Sequence, residues 1–229
     1  MPTKKPTGYL QDINGKKVQI KYYVLLTNKD LSEIIFPFKA TVNIWLRDSQ
    51  KRPSRPPKPS FAGGFPAMFG GNLEKEHNQS YVNTLKDEVE EESRKTYSVK
   101  DNKESNYTAL AADLDLVPQK DKSGKIIYWN DMRFYHTDLW EKIGEWPTTK
   151  PTKFAEGEMQ TVITLSVNNI ITEANNSNNK DKLLEALIKL AKQKTGIEGS
   201  AEQKKQFMTS HTATAFTMFL QARMSARRT

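Results

Sequence analysis

Apolar and polar positions alternate with period two from Lys16 to Leu26, where Val18, Ile20, Tyr22, Val24 and Leu26 share one side. That period predicts a strand. Asn14-Gly15 just before it is a turn signal and pairs the strand with Tyr9-Leu10 in a short hairpin. Ala40 to Leu46 (Val42, Ile44, Leu46) reads as a second strand, and Leu31 to Phe38 as an apolar run ending near Pro37. Further strands are predicted within Tyr107–Val117, at Ile126–Trp129 and Arg133–Leu139 around a Lys120–Lys125 turn, and at Thr161–Leu165. The period changes to that of a helix at Ser80–Lys95 and at Asp181–Lys194, where Leu183, Leu184, Leu187, Ile188 and Ala191 form one face. Ser166 caps a short helix to Glu173, and Ala213–Met224 forms a last helix with Phe216, Phe219 and Leu220 as its apolar side. Interleaved strands and helices, with hairpins among the strands, predict an α/β fold with a mixed, partly antiparallel sheet.

Punctuation between these elements is strong. Lys51–Pro59 holds four prolines and four basic residues and reads as an exposed basic loop. Phe61–Gly71 follows with four glycines. No internal repeat or second domain boundary is evident. The expected organisation is a basic arm over residues 1–17, one domain over 18–195, and a helical extension over 196–229.

Composition narrows the chemistry. The chain lacks cysteine, so disulfides, thiolate metal sites and a cysteine nucleophile are excluded. Met1–Gly8 has no apolar stretch of signal-peptide length, and no segment approaches the length of a membrane span. A soluble, cytoplasmic protein without membrane contact is expected. The net charge is +8, and residues 1–60 carry twelve Lys/Arg against four Asp/Glu. Such a surface favours anionic partners such as nucleotides or RNA; a solubilising surface is the plainer reading.

Chemistry concentrates in Gly70–Lys95. On its helix, Val82, Leu85 and Val89 form a buried stripe. Glu88, Glu91 and Glu92, spaced i, i+3 and i+4, form a second stripe. Carboxylates so close repel one another, and a hard divalent cation reverses that cost. A solvated acidic face is the competing reading. The preceding glycines let the backbone approach a ligand closely.

Pro66–Glu74 followed by Asp87-Glu88-Val89-Glu90-Glu91-Glu92 resembles a Nudix box, the signature of hydrolases acting on a nucleoside diphosphate linked to another group. The resemblance implies a Nudix-like α/β/α sandwich, a diphosphate substrate, and Mg²⁺ or Mn²⁺ held by Glu88, Glu91, Glu92 and the Gly71 carbonyl. It also makes Glu88 or Glu158 (with Glu156 as alternative) the proton acceptor or a further ligand, because Phe154–Ile170 has the family's downstream layout of loop, strand and short helix. Three departures stand out. Asp87 occupies the arginine position, Arg94 occupies the position of the closing glycine, and the spacing from Glu76 to Glu88 exceeds the pattern by about three residues. They leave open a catalytically degenerate Nudix-fold module that binds a nucleotide or RNA.

Other residues admit two readings. Arg47, Arg52 and Arg55 match phosphate geometry or are solvated loop residues. Phe65, like Tyr22, Trp45 and Trp129, stacks on a base or packs in the core. His77 touches substrate or is a loop histidine, and Ser80 is a helix N-cap rather than a nucleophile. A basic RNA-binding protein with a merely acidic helix is the third functional class.

Overall fold

A computed structural model describes residues 9–45, 58–73, 80–110, 116–151 and 157–226. Ten strands are described: β1 (Leu10–Ile13), β2 (Lys16–Thr27), β3 (Glu33–Lys39), β4 (Phe69–Asn72), β5 (Tyr97–Val99), β6 (Thr108–Ala109), β7 (Val117–Lys120), β8 (Ile126–Thr137), β9 (Trp140–Lys142) and β10 (Met159–Ser166). The α-helices described are α1 (Tyr81–Glu92), α2 (Val167–Glu173), α3 (Lys180–Thr195), α4 (Ala201–Met208) and α5 (His211–Ala226).

The main sheet runs β10-β3-β2-β8-β6, with β1 and β4 paired to β2 and β7 paired to β8. Only the β2–β8 pair is parallel among the described pairs, so the sheet is mixed and mostly antiparallel. The Asn14-Gly15 turn has φ of 52° and 73°, the left-handed pair that a two-residue hairpin requires. It sets the register Ile13↔Lys16 through Leu10↔Gln19.

Helices cover both faces, making an α/β/α sandwich. On one, Val82, Leu85 and Val89 of α1 pack on Val18, Ile20, Tyr22, Val24 and Leu26 of β2. On the other, Leu25, Ile34, Phe36, Phe38 and Phe134 meet α2, α3, α4 and α5. Residues of α4 and α5 (Phe207, Phe216, Phe219, Leu220) sit in this same core. The capping box of α4, Ser200 with Gln203, is a start signal that the sequence reading passed over.

Two strand assignments change. The strand lies at Glu33–Lys39, not at Ala40–Leu46, where Val42 makes only an isolated bridge to Pro59 and Leu46 lies outside the described residues. Ile34, Ile35, Phe36 and Phe38 are all buried because helices cover both faces of β3; such a strand reads as a continuous apolar run without alternation. Pro37 is tolerated because its backbone faces away from β10: its carbonyl accepts from the Ala67 N–H at 2.9 Å. Ile126–Trp129 and Arg133–Leu139 are likewise one strand, since the polar Asn130 and Asp131 pair with Gln19 and Ile20 of β2. Among the described residues no helix is long and apolar enough to cross a membrane.

Candidate functional site

The site forms where α1 crosses the short strand β4. Packing of the Val82–Leu85–Val89 stripe on β2 fixes the rotation of α1 about its axis. Positions 88, 91 and 92 follow from that rotation by helical period alone. The glycines of β4 complete the arrangement. A Cβ on Gly71 would lie 1.8 Å from Glu88 Oε1, so the Glu88 carboxylate rests against backbone that only glycine leaves bare. Gly70 has φ of 154°, and a Cβ there would meet the Tyr22 carbonyl at 2.1 Å. Its N–H donates to Glu92 Oε2 at 2.9 Å.

Glu92 is 7% exposed, and its pKa stands well above the ordinary carboxylate range. Burial is the main cause and the Glu88 charge the next; the Gly70 N–H and Lys39 oppose the rise, while Glu158 adds to it. Glu158 is also raised, first by burial and then by Glu91, with Lys39 again opposing. β3 and β10 bring these groups together. Lys39 is registered opposite Met159, and the Ala40 N–H donates to the Glu158 carbonyl at 2.9 Å. The hydroxyl of the half-buried Tyr23 is held protonated by desolvation and by the charges of Glu92 and Glu88. Glu88, Glu91, Glu92 and Glu158 thus form one mutually repelling group from two distant segments.

Such a set of hard oxygen donors, costly to ionise together, fits a divalent cation of the Mg²⁺ type. Among the described residues, however, no group of three or more His, Cys, Asp or Glu side chains is arranged so that it could hold a metal ion.

Arg94 stands where the family pattern has glycine, and its φ is 50°, in the left-handed region that glycine favours. The turn after the helix therefore keeps a glycine-like backbone. The guanidinium donates to the Thr149 carbonyl at 2.9 Å and lies over the Trp146 ring at 5.7 Å. Asp87 is exposed on the helix. Ser80 occupies the N-cap position of α1, but its side chain makes no capping bond.

The remaining expectations land elsewhere. Phe65 is 3% exposed and stacks on Phe207 at 5.6 Å, which is packing within the core. Tyr22 is buried in a stack with Tyr81 and Tyr135, and Trp129 lies under the Lys16 ammonium. Arg47, Arg52, Arg55, Glu76, His77 and Glu156 lie outside the described residues. Sequence reasoning missed Lys39, Tyr23 and the Gly70 N–H. The only local hint of Lys39 is that it is the first charge after the apolar run Ile34–Phe38.

No family model and no curated protein matches the chain. The solved structures to which it is similar include the MutT protein of Bacillus halodurans, 15% identical, covering 67% of this chain and 72% of that one with a TM-score of 0.36. A MutT Nudix hydrolase from Burkholderia pseudomallei is 11% identical, covering 66% and 84% with a TM-score of 0.35. A Nudix hydrolase from Nitrosomonas europaea is 10% identical, covering 81% and 94% with a TM-score of 0.35.

Proposed function

We propose that this chain is a Nudix-type hydrolase that cleaves the diphosphate linkage of a nucleoside diphosphate derivative with Mg²⁺ or Mn²⁺. The observation that carries the reading is the seating of the Glu88 and Glu92 carboxylates on the bare backbone of Gly71 and Gly70, with Glu91 and Glu158 coupled to them. A plain acidic helix face would turn its carboxylates to solvent; here Glu92 is buried, and a ligand-binding role accounts for that cost.

Glu88, Glu91, Glu92 and the Gly71 carbonyl are the groups that would hold the cation. Bound there, it supplies neutralisation of diphosphate oxygens and a more acidic coordinated water. The chain's own residues supply the rest. The Gly70 N–H holds one oxygen of Glu92 and so fixes where the other points. Glu158, whose pKa burial raises above the ordinary carboxylate value, is the stronger proton acceptor for it, and Glu88 is the alternative acceptor. Lys39 offsets the carboxylates and offers an ammonium to a substrate phosphate.

The test is phosphate or nucleotide release from sugar nucleotides, dinucleoside polyphosphates, nucleoside triphosphates and 5′-capped RNA. It compares wild type with Glu92→Gln, with and without divalent cation. Metal-dependent turnover lost in the variant supports the hydrolase. The exposed Asp87 in the arginine position favours a second reading, a degenerate module that binds a nucleotide or RNA without cleaving it. That reading gains if ligand binds in a metal-dependent way and no substrate turns over.

A further inference from the structure

Phe61 is 61% exposed, the highest value among the exposed large apolar side chains of the described residues. The seven residues after it, Ala62 to Met68, are all buried. Leaving this one ring in water forgoes the burial its neighbours obtain, and nothing about the turn is loose. The Ser60 N–H donates to the Thr41 carbonyl at 2.9 Å, and the Gly63 N–H to the Ser60 carbonyl at 3.1 Å. From α4, Gln206 Oε1 accepts from the Ala62 N–H at 2.9 Å, and Gln203 Nε2 donates to the Ser60 carbonyl at 3.0 Å and the Thr41 carbonyl at 2.8 Å. Ala62 is held at φ of 50°, a left-handed conformation unfavourable for a residue with a Cβ, and such strain persists only where the surroundings impose it. A rigid, strained turn therefore holds the ring outward.

The turn also abuts the carboxylate group. The Lys39 ammonium donates to the Phe61 carbonyl at 3.4 Å, and the Gly64 N–H donates to the Lys39 carbonyl at 2.9 Å. That same Lys39 charge acts on both Glu92 and Glu158. An aromatic face, an ammonium and a carboxylate-held cation site in succession match a ligand with an aromatic end and a diphosphate end. We propose that Phe61 is the stacking platform for the nucleobase of the substrate, a specificity-determining residue preorganised by Gln203 and Gln206. This rests on the functional reading above. Because every base has a π-face, the platform accepts bases broadly and discriminates nucleotides from compounds lacking a base.

The test is isothermal titration of the full chain, with Mg²⁺ present, by ADP, GDP, CDP, UDP and inorganic pyrophosphate. It is run for wild type, Phe61→Ala and Phe61→Trp, with thermal melts confirming that each variant folds. Phe61→Ala is expected to weaken at least one nucleoside diphosphate by about fivefold or more while leaving pyrophosphate unchanged, and Phe61→Trp to restore it. Equal weakening of pyrophosphate, unchanged nucleotide binding, or no wild-type preference for nucleotides over pyrophosphate overturns the proposal. Nucleotide binding indifferent to Phe61 beside intact metal-dependent turnover sinks the platform alone. Binding that depends on Phe61 with no turnover anywhere sinks the hydrolase alone.

Discussion

Replacing Glu92 by Gln removes one ionisable group and little else. The amide oxygen of Gln still accepts from the Gly70 N–H, now 2.9 Å from Glu92 Oε2, and the volume is unchanged. What disappears is a carboxyl whose charged form is disfavoured by burial, Glu88 and Glu158. Because the folded-state pKa is raised above the ordinary 4.5, the unfolded chain ionises first as pH rises. Stability from this group is therefore complete below 4.5 and is lost as pH climbs through the higher folded value. The substitution is expected to stabilise the metal-free protein at neutral pH by about 0.5–2 kcal/mol, the usual yield of relieving one unfavourable charge. For a chain of this size that is a rise in Tm of roughly 1–8 °C. The gain should vanish in acid, where wild-type Glu92 is protonated. Mg²⁺ should raise the wild-type melting temperature and leave the variant's nearly unmoved, since a cation that binds only the folded state stabilises it by mass action. Differential scanning calorimetry across pH, with and without Mg²⁺, reads all three. A variant less stable than wild type at neutral pH without metal, or two melting curves that track each other at every pH, would refute the reasoning.

Three further substitutions follow from the same geometry. Gly71→Ala places a methyl group 1.8 Å from Glu88 Oε1, so the carboxylate must move; turnover should fall about a hundredfold at nearly constant stability, as steady-state kinetics beside a melt will show. Lys39→Met removes a cation that lowers the pKa of both Glu92 and Glu158, so the acid limb of the pH–rate profile should move to higher pH; a limb that stays put or moves to lower pH assigns Lys39 no electrostatic role. Gln203→Ala strips donors from the Thr41 and Ser60 carbonyls and should cost about 2–3 kcal/mol in urea denaturation, whereas a loss under about 0.5 kcal/mol would mean that α4 does not brace the Phe61 turn.

Local pattern was enough for the sequence to determine most elements. The Asn14-Gly15 hairpin, the two amphipathic helices, the Ser166 cap and the grouping of Glu88, Glu91 and Glu92 on one helix side all depend on residues within a turn or two of one another. Their physics is periodicity and backbone preference, which a linear chain carries in full. Tertiary structure alone decided the rest. That β3 is Glu33–Lys39 follows from coverage on both faces, which erases the alternation a strand otherwise shows. Lys39 and Glu158 join the helical glutamates only because β3 and β10 pair across more than a hundred residues. Phe61 is turned outward while Phe65 is buried, although both stand in one glycine-rich run, because α4 grips the first turn and Phe207 stacks on the second ring. Burial, charge coupling and aromatic exposure are sums over neighbours distant in the chain, so no window of sequence contains them.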